Sequence, residues 1–344
     1  MNTICKPPSI YFYLPQPQWL DHIPEPFDNR WKEFGPGYYN WTINSYLQLK
    51  SHGCKCELVN NIEDRTGIII SHRHLLPDDF RVSPGQLLVC IKADWGRHPY
   101  APIHICQNRT ETTPKGTPLF HRIFWPGKTY FVHFWPQPNI LPRSRDRKDE
   151  LNTIAYFGRQ QNLAPELQSD EWHTLLRTLD IEWKPVYDSK QWHNYRDIDA
   201  VIFYRDFKNR RHYNKPATKL YNSWLAGCVP ICPSESAYID ECPDGRAAVF
   251  ADSFDALKQA VIDLKNNPKQ FSSVRMHGIN RAPLYHHNHI CEEWMHILKS
   301  IQFTDYPLYG AHGFTYRCFM SVRAFSSSLF RMFRKLKSFH VRHQ

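Results

Sequence analysis

The chain has 344 residues, of which 42% are hydrophobic and 15% aromatic, and it carries a net charge of +10. That length exceeds what one core usually fills and suits two domains of about 150 residues each, while the apolar share excludes a disordered polymer. The positive excess points to an anionic partner without choosing among nucleic acid, phospholipid and a phosphorylated small molecule.

The opening stretch MNTICKPPSIYFYLPQP has no basic start followed by an apolar run, and no window of about 18 residues is apolar and uncharged. A cytoplasmic protein is therefore expected, with its ten irregularly spaced cysteines as reduced thiols. The sequons at Asn40 and Asn108 carry little weight on that reading.

In chain order, SIYFYLP reads as a strand ended by proline, and WTINSYLQLKSHG as a helix that places Trp41, Ile43, Tyr46, Leu47 and Leu49 inward and stops at Gly53. The short apolar runs CELVN, GIIIS, LLVCIKAD and IHICQ follow. Continuous runs of this kind suggest parallel strands covered on both faces, hence a first α/β domain over residues 1–140. Cys54 and Cys56 are separated by one residue, too close for a C-x-x-C site, and receive no function.

The stretch 135–150, WPQPNILPRSRDRKDE, is rich in proline and then in charge, as expected of an exposed inter-domain linker. A second alternation occupies 150–285: TIAYFGR, IEWKPV, DAVIFYR, VPICP and AAVFA as strands, with EWHTLLRTLD, KLYNSWLAG and FDALKQAVIDLKNN as helices. This is the pattern of a doubly wound domain. A closing amphipathic helix is expected over 286–302 and a basic tail over 303–344. His286, His287, His289 and Cys291 lack zinc-site spacing, and no metal site is expected.

The segment HYNKPATKLYNSWLAGCVPICPSESAYID carries the chemistry. Lys215 precedes a proline in a loop, Lys219 stands at the start of a helix, and Asn222 lies three positions further on. A lysine beside a helix N-terminus makes an anion site, because ammonium and free backbone N–H groups point the same way. The helix ends at Ala226-Gly227, and the next strand leads to Glu235 at its carboxyl end, where open α/β sheets place ligands and where a carboxylate can accept hydroxyl hydrogen bonds. The alternative is a solvated helix start with Glu235 capping the next helix.

KPATKLYNSWLAGCVPICPSESAY resembles the nucleotide-sugar-binding signature of GT-B glycosyltransferases, a lysine entering a helix of the form K-L-x-E-x-x-x-A-G-x-P. Tyr156-Phe157-Gly158-Arg159 and the strand DAVIFYR are similar to the donor-domain elements before it. The resemblance implies an α/β fold of two Rossmann-like domains facing each other across a cleft, a nucleotide-diphospho-sugar as donor substrate, and no bound cofactor or metal. It makes Arg159, Arg205, Lys215 and Lys219 candidates for the donor diphosphate, and Asn222 with Glu235 candidates for ribose. Asn222 stands where many members carry glutamate, which motivates a second reading: a degenerate chain that binds a nucleotide sugar, or a protein partner, without transfer.

A glycan or lipid-linked saccharide is the expected acceptor. Its hydroxyl needs a base, and His72 and Asp94, at the ends of apolar runs in the first domain, are the candidates. From Arg317 to the end there are seven Lys and Arg and no acid. As a helix this tail would suit an anionic membrane surface, which makes peripheral membrane contact an expectation; no nucleic-acid module is recognisable.

Overall fold

The structure is a computed structural model that describes residues 7–24, 37–113, 127–208, 210–310, 313–314, 316–323 and 325. The described residues fall into two compact units: one takes 7–23, 37–113, 127–132 and those from Cys291 on, the other Pro24 and those between His133 and Ile290.

The first unit holds a six-stranded sheet built from β1 (Ser9–Tyr13), β2 (Cys56–Val59), β3 (Gly67–His72), β4 (Gln86–Ile91), β5 (Ile103–Cys106) and β6 (Lys128–Phe131). The order is β2-β1-β3-β4-β5-β6, and every pairing is parallel. Parallel strands are covered on both faces, and β3 and β4 are accordingly buried at every position. The expected first helix begins as a π turn over Asn40–Asn44 and runs into α1 (Ser45–Ser51). It buries Trp41, Ile43, Leu47 and Leu49, as its spacing requires. The chain from Cys291 on adds Trp294, whose ring lies 6.1 Å from Phe12 and 6.3 Å from Trp41.

The second unit holds five parallel strands, β7 (Thr153–Phe157), β8 (Glu182–Val186), β9 (Ala200–Ile202), β10 (Val229–Cys232) and β11 (Val249–Phe250), in the order β11-β10-β9-β7-β8. The helices α2 (Asp170–Thr178), α3 (Thr218–Ala226), α4 (Ser236–Glu241), α5 (Phe254–Asn266) and α6 (Pro268–Arg281) belong to this unit, and α7 (His287–Ser300) begins in it. Side chains alternate across the sheet with period two. Ala155, Phe157, Val201 and Phe203 enter one apolar cluster, while Ile154, Tyr156, Ala200, Ile202 and Tyr204 enter another. Side chains cap α2, α5 and α6 at their N-termini: Ser169, Ser253 and Asn267 each accept an N–H from the first turn. Gly227, with φ 72°, ends α3 in the left-handed conformation that a side chain would resist.

Two parallel α/β sheets are thus present, as expected of a GT-B chain. The stretch 135–150 departs from expectation, because much of it packs into the second unit in place of forming an exposed linker. Trp135 and Arg143 are buried, and the Leu141 N–H donates to the His193 carbonyl at 2.8 Å. Arg143 and Arg147 both reach the fully buried Asp199, at 2.8 and 2.6 Å, which also accepts the N–H groups of Asn152 and Thr153. Most of the basic tail face, including residues 326–344, lies outside the described residues. Among those described, no helix is long and apolar enough to cross a membrane.

Candidate functional site

An open parallel sheet takes ligands beyond the carboxyl ends of its strands, at the point where strand order reverses. In the second unit that point falls between β7 and β9. Arg159 follows the end of β7 and is exposed; Arg205 follows β9; Glu235 follows the neighbouring strand β10. These three of the expected donor residues therefore stand at the same sheet edge because of strand order, which links positions far apart in sequence.

Arg205 and Glu235 form an ion pair of 2.6 Å, with Glu235 only 3% exposed. Tyr238, in the first turn of α4, shares a hydrogen bond with Arg205. Burial works against the Arg205 charge, but Tyr238 and Glu235 outweigh it and hold its pKa above the ordinary value. Glu235 occupies the N-cap position of α4 but makes no side-chain cap bond there, so its carboxylate serves Arg205 and not the helix.

Lys219 lies in the first turn of α3, with its ammonium 4.4 Å from the centre of the Tyr156 ring. Burial, and then the neighbouring Arg205, push its pKa down to about 7, against the pull of Glu235. The Tyr156 ring can fold over the end of its own strand because residue 158 is glycine: a Cβ there would meet the tyrosine oxygen at 2.7 Å. The Tyr156 hydroxyl donates to the Arg159 carbonyl at 3.3 Å. Lys219 thus sits beside the Tyr156 ring and the charges of Arg205 and Glu235, with its proton loosely held.

Around Arg205 and Glu235 a pocket is lined also by Tyr204, Asp206, Phe207, Arg210, His212, Pro233 and Asp252. Asp252 fixes the loop after β10, accepting from the Ser234 N–H at 2.7 Å and its hydroxyl at 2.8 Å. Arg211 is tied to the same loop through Ser234 O and the Ser236 N–H. A larger cavity of about 460 Å³ borders Arg147, Glu182 and Asp199 at the amino edge of the same sheet, where the Asp199 cluster is structural, so size does not locate the site.

Lys215 is partly buried in the turn that enters α3. Asn222 is buried, and its side-chain oxygen accepts the Gln137 N–H at 3.0 Å; it also bonds the Tyr195 hydroxyl. Its carboxamide is committed to the segment after the unit boundary. The structure joins Arg205, Glu235 and Lys219 into one group with Tyr156 and Tyr238, and uses Asn222 to hold the backbone at Gln137. Sequence reasoning missed Tyr156, Tyr238 and Asp252. Tyr238 stands three residues after Glu235, within the resembling segment, and was open to being found; Tyr156 and Asp252 depend on strand order.

In the first unit the order places the reversal between β1 and β3. His72 is the last residue of β3 and pairs in register with Ile91 of β4. It is 3% exposed, and its Nδ1 accepts the His74 N–H at 3.1 Å. Burial, with His74 and Arg73 nearby, pushes its pKa down to about 3, so the imidazole is neutral and a weak base. Asp94, beyond the end of β4, is exposed and accepts the Gln107 side-chain N–H at 2.6 Å.

No family model matches the sequence, and no curated protein matches it. Among solved structures the chain is similar to HepE from Anabaena in complex with UDP, at 10% identity over 73% of this chain and 88% of that one, with a TM-score of 0.46. It is similar to a sucrose-phosphate synthase from Thermosynechococcus elongatus at 10% identity, over 68% and 73% of the two chains, with a TM-score of 0.46. It is also similar to the pneumococcal O-GlcNAc transferase GtfA in complex with UDP and GlcNAc, at 10% identity over 76% and 60%, with a TM-score of 0.44.

Proposed function

We propose that the second unit binds a nucleoside-diphospho-sugar and that the chain transfers the sugar to a hydroxyl of a glycan or lipid-linked saccharide, without a bound metal. The observation that carries this reading is the group of Arg205, Glu235 and Lys219 at the carboxyl edge of a doubly wound parallel sheet. Arg205 and Lys219 supply charge-assisted hydrogen bonds to a diphosphate that gains charge as the sugar leaves, with Arg159 and Lys215 as further cations. Glu235 holds Arg205 through one oxygen and retains acceptor capacity for a ribose hydroxyl. Of the two first-unit candidates for the base, Asp94 is the one exposed to an acceptor, whereas His72 is buried and holds a proton poorly. The basic tail supports contact with an anionic membrane surface when the acceptor is lipid-linked.

A second reading, binding without transfer, is favoured by Asn222, whose side chain is taken up by Gln137. Incubating the purified chain with a panel of nucleoside-diphospho-sugars and saccharide acceptors separates the two. Release of nucleoside diphosphate coupled to a glycosylated product supports transfer; saturable binding with no turnover leaves only the binding reading, and no binding at all removes both.

A further inference from the structure

The strands β3 and β4 are parallel neighbours with His72 in register with Ile91, so the residues after each strand emerge side by side at the carboxyl edge of the first sheet. Two of them carry exposed rings: His74 after β3, and Trp95 after β4, the latter 49% exposed. The two ring centres lie 5.2 Å apart, with the planes inclined at 44°. Tyr38 stacks on His74, 5.4 Å away and within 13° of parallel. It stands in the helical turn Gly37–Tyr39, so rings from three separate stretches of the unit meet at one edge.

The backbone holds each ring in place. His72 Nδ1 accepts the His74 N–H at 3.1 Å, and the Tyr39 hydroxyl donates to the Gln18 carbonyl at 3.0 Å, which ties down the turn that carries Tyr38. The Trp95 N–H donates to the Lys92 carbonyl at 3.1 Å and closes a four-residue turn. Lys92 is anchored in turn by its buried ion pair with Glu111 at 2.5 Å. Ala93, inside that turn, has φ 47°, a left-handed conformation that a side chain resists. The turn buries Ala93 and leaves Asp94 and Trp95 outside. Backbone strain retained at a strand end, where it serves to expose an indole, points to a ligand.

The face of an aromatic ring is electron-rich, and it attracts polarised C–H groups and apolar surface of matching size. A pyranose presents such a surface, with axial C–H groups on one side and hydroxyls round the rim. Asp94, next to Trp95 in sequence and exposed, offers a carboxylate to that rim. A protein partner fits less well. The open faces of three rings, two of which cover each other, fall well short of the roughly 800 Å² per side of a stable interface.

We propose that Trp95, braced by His74 and Tyr38, is the stacking platform for a pyranose ring of the acceptor, which is thereby recognised as a saccharide and presents a hydroxyl to Asp94. This deepens the acceptor side of the proposed function and rests on it. The test leaves out the donor, so it reads the first unit whether or not the second binds a nucleoside-diphospho-sugar.

Saturation-transfer difference NMR is recorded on the full chain with methyl β-glucoside, methyl β-galactoside, methyl α-mannoside and methyl β-N-acetylglucosaminide, and with the open-chain polyol sorbitol. The expected result is saturable transfer to at least one glycoside, concentrated on the hydrogens of one ring face, with little transfer to sorbitol. Trp95→Ala should weaken that binding at least about fivefold, and Trp95→Phe should weaken it less. Because Trp95 is half exposed, the alanine variant should melt with the parent, so that its loss reports the contact and not the fold. Transfer to none of the glycosides, transfer spread evenly over both ring faces, or equal affinity in the parent and Trp95→Ala would overturn the proposal. So would self-association that Trp95→Ala abolishes in place of saccharide binding, which would give the rings to a second copy of the chain.

Discussion

Lys219 concentrates the chemistry at the scale of single residues. Its pKa near 7 means that the folded chain binds fewer protons there than the unfolded chain, whose lysine titrates near 10.5. Stability therefore rises with pH between those values, and the cost of burying the charge is felt in full below about pH 7. Lys219→Met is expected to raise the melting temperature by about 2–4 °C per kcal/mol gained, most at pH 6 and least near pH 10, while losing donor affinity. A calorimetric scan across that range checks it; a variant less stable than the parent at pH 6 would contradict it. On the proposed donor reading the bound diphosphate holds the proton on Lys219, so donor affinity should fall by up to about tenfold per pH unit above 7. Lys219, Arg205 and Glu235 drew notice in the sequence because they lie in or beside one recognisable segment, whereas their meeting at one edge depends on strand order. The commitment of Asn222 was not, since its partner Gln137 lies 85 residues away.

At the scale of elements, Asp199 decides how the stretch after the unit boundary is held. Burial works against its charge, but Arg147, the Asn152 N–H and Arg143 hold its pKa below the ordinary carboxyl value. Its stabilisation is present above the usual carboxyl range and is lost as pH falls through the lowered folded value. Asp199→Asn leaves Arg143 and Arg147 without their counter-charge and should cost about 3–5 kcal/mol at pH 7. Urea unfolding at pH 7 and pH 3 checks this, with the difference from the parent shrinking at the lower pH; an unchanged midpoint at pH 7 would contradict it. Arginine and proline in 135–150 read as linker composition because nothing local reveals that a buried aspartate waits 52 residues beyond Arg147 and 56 beyond Arg143. The strand β6 was missed for a related reason: KTYF has a weak pattern, and Tyr130 is secured by Asp305, whose carboxylate it meets at 2.5 Å. Helix α6 was missed because only Phe271 and Gly278 of its 14 residues are buried, too few to mark a face.

At the scale of the whole molecule, apolar runs bounded by turn residues made two parallel sheets legible, since strands covered on both faces must be apolar throughout. Their order was not legible, because it depends on which crossovers pack together, and order is what sets Arg159, Arg205 and Glu235 along one edge. The central claim is that this edge is a donor site. Its most direct test is isothermal titration of the intact chain and of Arg205→Ala with a panel of nucleoside-diphospho-sugars at low salt. One donor should bind the parent saturably, and Arg205→Ala should bind it at least about 30-fold more weakly, because a buried charged partner is removed and Glu235 is left facing the diphosphate. Equal affinity in both proteins, or no binding of any nucleoside-diphospho-sugar to the parent, would contradict the account.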